Sequence, residues 1–176
     1  MKVAARCYLT LLLLLPVSSL LAEAASGDQP ANMTTGATIS GQGTIELRID
    51  VTQFLKGMGL ALIPEGVVTE LKEIRNKRWL ESASRLKFNA GYYYLDLKSI
   101  GYFASSKAVQ ITRSDAEGNY TFTGIAPGQY RIYGQYKSRY AAGYWLVPVE
   151  VQSVDDQINI DINNGNLEEI YNREVK

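Results

Sequence analysis

The chain has 176 residues, 18 Lys and Arg against 18 Asp and Glu, one Cys and no His. That length suits one domain, which can bury roughly two-thirds of its unfolded surface without disulfide staples. A balanced charge supplies no field to gather nucleic acid, and the lack of His with a lone Cys removes imidazole bases and the usual zinc ligands. No cofactor, no metal site and no nucleic-acid partner are expected.

Residues 1–24 read as a secretory signal. Lys2 and Arg6 form the positive start, Leu11 to Leu21 the apolar stretch, and Ala22-Glu23-Ala24 a small-x-small cleavage pattern. Cys7 precedes the apolar stretch, so it is misplaced for a lipid-bearing cysteine. No later segment approaches the ~20 apolar residues needed to cross a bilayer, so no membrane insertion is expected after cleavage. The protein is read as exported, periplasmic or secreted, and export without cysteine in the mature chain points to a bacterial envelope.

Residues 25–43 are rich in Ser, Thr, Gly, Asn and Gln and are read as a flexible tether. From Thr44 to Val51 apolar side chains fall on every second position, which predicts a first strand with one wet face. Met58 to Ile63 is apolar at both parities, as in a short strand buried on both sides. Pro64 then opens a helical pattern to about Leu86, with Val67, Leu71 and Ile74 as the inward residues. Glu70, Lys72, Glu73, Arg75, Lys77 and Arg78 form its solvated side. Within 87–106, Tyr92-Tyr93-Tyr94-Leu95-Asp96-Leu97 fits either a strand or a Tyr-rich loop.

Strand patterns return from Ala108. Val109 and Ile111 share a face, as do Tyr120 and Phe122; then Tyr130, Ile132 and Tyr136; Trp145, Val147, Val149 and Val151; and Ile158, Ile160 and Ile162. Asp115-Ala116-Glu117-Gly118 suits a type I turn with Gly in the left-handed position, and Ala126-Pro127-Gly128-Gln129 a type II turn. Each turn is expected to join an antiparallel hairpin. The segment after Asn163 is polar and expected to fray, with 167–176 as a tail. The expected fold is all-β: an antiparallel β-sandwich of seven to eight strands over 44–166, with one inserted α-helix in a long insertion at about 64–106.

The run Asp115-x-x-Gly118-x-Tyr120-x-Phe122-x-x-Ile125-x-Pro127-Gly128-x-Tyr130-x-Ile132 resembles the signature of carboxypeptidase regulatory-like domains, which are transthyretin-like (prealbumin-like) sandwiches. Lys56 to Ile63 is similar to an earlier strand of that family, and Trp145 to Val151 followed by Ile158 to Asn166 to the closing strands of exported bacterial members. The resemblance covers most of 43–166. It implies a folding accessory, an adhesion or binding module, or a stalk element, with catalysis left to separate domains. The 64–106 insertion departs from the pattern.

Three groups of residues could carry more than structure. Asp115, Glu117 and Asn119 alternate like a calcium loop, but Gly118 stands fourth and Ala126 twelfth, where an EF-hand needs Gly sixth and a carboxylate twelfth; turn chemistry accounts for them. Asp155-Asp156, with Asp96 and Asp161, could be imagined as a glycosidase pair, yet the first two fall between strands as solvated turn residues. The chain is accordingly read as not an enzyme. The third group is aromatic: Arg139, Tyr140, Tyr144 and Trp145, with Tyr92 and Tyr93, form a candidate binding surface for a protein partner or a polysaccharide. A carbohydrate-binding module is the alternative to a protein-interaction or structural accessory role, and it requires at least two of these rings exposed and roughly coplanar. Packing of the rings beneath the inserted helix, which must cover a sheet face to bury its own apolar side, is the competing explanation.

Overall fold

Alternating polarity from residue 37 onward becomes ten strands among the described residues, with two helices packed on the outer face of one sheet. In chain order these are β1 (Ala37–Gln42), β2 (Thr44–Arg48), β3 (Val51–Phe54), β4 (Gly59–Pro64), α1 (Val68–Ala83), α2 (Ala90–Lys107), β5 (Gln110–Arg113), β6 (Asn119–Ile125), β7 (Gly128–Lys137), β8 (Ala141–Val151), β9 (Gln157–Asn159) and β10 (Leu167–Asn172). The computed structural model describes residues 35–48, 51–83, 90–138 and 141–172, so the leader read over 1–24 lies outside the described residues. No helix among the described residues is long and apolar enough to cross a membrane.

Eight strands build the sandwich. One sheet has the order β6-β1-β9 and the other β10-β8-β7-β4-β5, while β2 and β3 form a separate hairpin. Pairing is antiparallel except between β1 and β9, which run parallel with Thr38, Ile39 and Ser40 opposite Gln157, Ile158 and Asn159. Between the sheets lie Ile39, Leu60, Leu62, Tyr120, Phe122, Ile132, Trp145, Val147, Val149, Val151 and Ile162. Each such side chain removed from water contributes about 1.5–3 kcal/mol.

The five-stranded sheet is buried on its other face as well. Ala61 and Ile63 of β4, Tyr133 of β7, and Ala142, Tyr144 and Leu146 of β8 pack there with Val68 and Leu71 of α1 and Leu97, Ile100 and Ala104 of α2. The molecule therefore has three layers, and the five-stranded sheet is the middle one. The two-sided apolar run of β4 has a direct explanation, because successive side chains enter different cores.

Polar contacts bolt the helical layer down. Arg75 is only 6% exposed; its Nε donates to Glu169 Oε2 at 3.0 Å and its Nη2 to Glu169 Oε1. Lys72 pairs with Glu168 at 2.8 Å. A one-turn 3-10 helix, Glu65–Val67, links β4 to α1, and Glu65 receives both Nε and Nη2 of Arg131 on β7, at 2.6 and 2.9 Å.

Several expectations are corrected. The tether does not extend to residue 43: Ala37 and Ile39 are fully buried in β1, the middle strand of its sheet. The segment lacks bulky residues because it is crowded; a Cβ on Gly41 would stand 1.8 Å from the Ile160 carbonyl oxygen. The single strand read over 44–51 is split between β2 and β3, which pair antiparallel with Thr44 opposite Phe54. The insertion carries two α-helices, the second over the stretch read as strand or loop; its tyrosines suit either state, and packing against the sheet decides it. The 115–118 and 126–129 turns are corners between the two sheets and not hairpin turns, since β5 and β7 belong to one sheet and β6 to the other. The tail is a strand: β10 pairs with β8, placing Ile170 opposite Gly143. Arg75, assigned to the solvated side of its helix, points inward onto Glu169.

Two variants test this arrangement. Ile39→Ala should lower stability by about 2–5 kcal/mol, the range for an apolar residue cut back in a packed core, as read by urea denaturation; a change under 0.5 kcal/mol would return residues 37–42 to the tether. Glu169→Ala removes the bidentate carboxylate from a buried guanidinium and should cost about 1.5–3 kcal/mol, the range for hydrogen bonds to a charged group, with the loss falling in hydrogen-exchange protection of α1 before that of β1 and β6.

Candidate functional site

Of the aromatic surface expected around the β7–β8 connection, the structure describes the side chains of Tyr144 and Trp145, and it buries both. Tyr144 and Trp145 are neighbours on one strand, so their rings leave opposite faces. Trp145 is fully buried in the sandwich core, and its indole N–H donates to the Asn163 carbonyl at 2.8 Å. Tyr144 is 3% exposed under the helices, its ring 6.1 Å from that of Tyr133 with the planes 34° apart. Burial, reinforced by the neighbouring Glu169, pushes its hydroxyl pKa up, so it serves as a neutral hydrogen-bonding partner for that carboxylate. Neither ring is available to a sugar. Tyr92 and Tyr93 lie in α2, with their side chains outside the described residues, as are Arg139 and Tyr140.

Three of the carboxylates singled out in the sequence, Asp115, Asp156 and Asp161, accept from backbone N–H groups. Asp115 Oδ1 accepts from the N–H groups of Glu117 and Asn119, at 3.0 and 2.8 Å, and Oδ2 from the Asn119 amide. These bonds, the Asn119 side chain first, hold its carboxyl below the usual range. Gly118 follows at φ +81°, where a Cβ would meet the Gly43 carbonyl, so the corner needs glycine for both torsion and space. Asp156 Oδ2 accepts from Gln152 and Ser153 N–H groups, and Asp161 Oδ1 from Gln42 N–H. Among the described residues, no three of His, Cys, Asp or Glu gather closely enough to hold a metal ion.

A different feature stands out, a groove of about 710 Å³ between α2 and the β5 side of the middle sheet. One wall is α2, through Leu97, Lys98, Gly101, Tyr102 and Ser105; the other is β5, through Ile111 and Arg113; Ala61, Tyr133 and Gln135 lie beneath. The helix lies over β4, β7 and β8 and stops short of β5, the last strand of the sheet. Ile111 is consequently 55% exposed, Val109 54% and Tyr102 80%. The Gln135 side-chain amide sets the wall position: it donates to the Leu97 carbonyl and to the Tyr133 hydroxyl. A Cβ on Gly101 would stand 2.7 Å from that amide nitrogen, so glycine lets the helix come close. A smaller hollow of about 230 Å³, lined by Phe54, Leu55, Lys56 and Met58, shares Gln135, Tyr136 and Lys137 with the groove and continues it toward the β2–β3 hairpin.

Sequence reasoning missed this site. Ile111 lies on β5 as read, while Val109 falls in the bend just before that strand, and alternation does not say whether anything covers the face. Tyr102 sat in the least readable segment. Its only signal is helical: Lys98, Gly101, Tyr102 and Ser105 share one side at i, i+3, i+4, i+7 spacing.

No protein-family model matches the chain, and no curated protein matches it. Among solved structures, a candidate carbohydrate-binding protein of Pseudomonas aeruginosa is similar at 13% identity over 77% of this chain and 92% of that one, with a TM-score of 0.46. The major pilin subunit of Bacillus cereus is similar at 14% identity over 76% of this chain and 30% of that one, TM-score 0.34. The pilus backbone protein of Streptococcus pneumoniae is similar at 12% identity over 72% and 41%, TM-score 0.33.

The ion pair that ties the turn before α1 to β7 should weaken at low pH. Hydrogen bonding to Arg131 lowers the Glu65 pKa below 4.5. A carboxyl whose folded pKa is depressed stabilises the fold above its unfolded pKa and loses that contribution as pH falls through the folded value. Glu65→Gln should therefore be less stable than the parent at neutral pH, and the two should converge as pH falls through the depressed folded value of Glu65 when thermal midpoints are compared; a gap that persists at low pH would assign the effect to packing.

Proposed function

We propose that this chain is an exported, non-catalytic module of the carboxypeptidase regulatory-like type that works in the cell envelope by binding another protein. The observation that carries the reading is the groove, where Tyr102 and Ile111, with Val109 close by on the chain, stand in water beside a hollow large enough for several side chains. Export is supported by the leader pattern of residues 1–24, and membership of that family by the quoted signature from Asp115 to Ile132, whose Gly118 stands at positive φ in a corner between the sheets.

Incorporating a photo-crosslinking benzoylphenylalanine at Tyr102, in the full chain expressed in its own host, tests the reading. A discrete protein adduct should form at this position and not at the exposed control Glu150 on β8. Equal labelling at the two positions, or none at Tyr102, would refute it.

A further inference from the structure

The groove and the hollow beside it form one strip, and its charge is one-sided. Lys56, Lys98, Arg113 and Lys137 line it, and among the described residues no Asp or Glu does. In a chain with equal numbers of acidic and basic residues, such segregation sets up a local positive potential over an apolar floor. Elsewhere on the same helical layer, basic residues face acidic ones: Lys72 meets Glu168, Arg75 meets Glu169 and Arg131 meets Glu65.

The last strand of the sheet adds a periodic feature. Among the described residues no strand is hydrogen-bonded in a ladder to the outer side of β5, but β6 runs beside it and the Gln110 side chain accepts from the Thr123 N–H at 3.1 Å, so a partner reaches β5 over its groove face. Ile111 and Arg113, on that face, occupy alternate positions and are both exposed. An extended chain laid in the groove along β5 would therefore meet an apolar and then a cationic position at the two-residue period of its own side chains.

We infer that the strip is a docking site for an extended acidic segment of a partner protein, one in which apolar side chains alternate with carboxylates. This rests on the protein-binding reading above and specifies its partner. The apolar side chains enter between Tyr102 and Ile111, and the carboxylates face Lys98 and Arg113. A polysaccharide is the poorer occupant, because of the three tyrosines of the groove only Tyr102 stands mostly in solvent, while Tyr133 is buried under the helices and Tyr136 is partly buried against the sandwich core. A second copy would have to present a strip of opposite charge, and its own other edge strand, β10, has Glu168 and Glu169 already committed to α1.

The test uses the purified exported protein and a fluorescein-labelled peptide alternating Asp with Val and Leu. Its controls are the same peptide with Lys for Asp, soluble polygalacturonate, and the protein alone. The acidic peptide should bind at least tenfold more tightly than the Lys version, more weakly as salt rises, and at least tenfold less well to Lys98→Glu and Ile111→Asp. Both positions are exposed, and unchanged thermal midpoints would show the variants folded. Equal binding of the two peptides, or indifference to both variants, overturns the inference. So does polygalacturonate competing more strongly than peptide, or self-association of the protein alone abolished by Ile111→Asp, each of which names another occupant. A Tyr102 crosslink to protein combined with no acidic preference would leave the protein-binding reading standing and sink this one.

Discussion

A strand that is apolar at both parities must be covered on both faces, and β4, β7 and β8 are three such strands lying side by side. Leu60 and Leu62 of β4 enter the sandwich core while Ala61 and Ile63 enter the other. Ile132 and Tyr133, and then Trp145 and Tyr144, repeat the division. A two-layer sandwich would leave one of these sets in water. The helical insertion supplies the missing cover, which makes it a structural requirement of the sheet and not an ornament on it.

That role also determines how the insertion is held. Its apolar stripe is narrow, with Val68 and Leu71 of α1 and Leu97, Ile100 and Ala104 of α2 turned to the sheet. Salt bridges fix the rest: Arg75 and Lys72 tie α1 to β10, and Glu65 ties the preceding turn to β7. An exposed pair stabilises little. Arg75 differs because it is buried, so its bidentate contact with Glu169 also specifies where the helix must sit. Two helices of this size cover the three central strands and leave β5 open, and the groove is the geometric remainder.

The same geometry shifts attention from the residues that composition favours. Tyr and Trp are abundant near the β7–β8 connection, yet adjacent positions on a strand send Tyr144 and Trp145 into different cores, and each hydroxyl or N–H finds an internal partner. Tyr102 and Ile111, two of the exposed large apolar residues, are separated along the chain. They meet only because α2 and β5 flank the same groove on one face of the middle sheet.

Local chemistry was legible wherever it depends on near neighbours: the two-sided burial of β4, the start of α1, the Asp115–Gly118 corner with its positive φ, and the inward series of β8. Each is written in a few consecutive residues, through side-chain parity, turn torsions and capping bonds. The partners of those elements were not legible. Gly41 reads as flexible until it is seen pressed against Ile160, Glu169 as solvated until Arg75 reaches it, and the Asp115 corner as a hairpin until β5 and β6 are assigned to different sheets. Strand order and layer cover arise from contacts between residues far apart in the chain, and no periodicity records them. The sequence by itself therefore determined that this chain makes a β-sandwich with a helical insertion, whereas only tertiary structure decided which apolar faces are sealed and that the one beside β5 is left open.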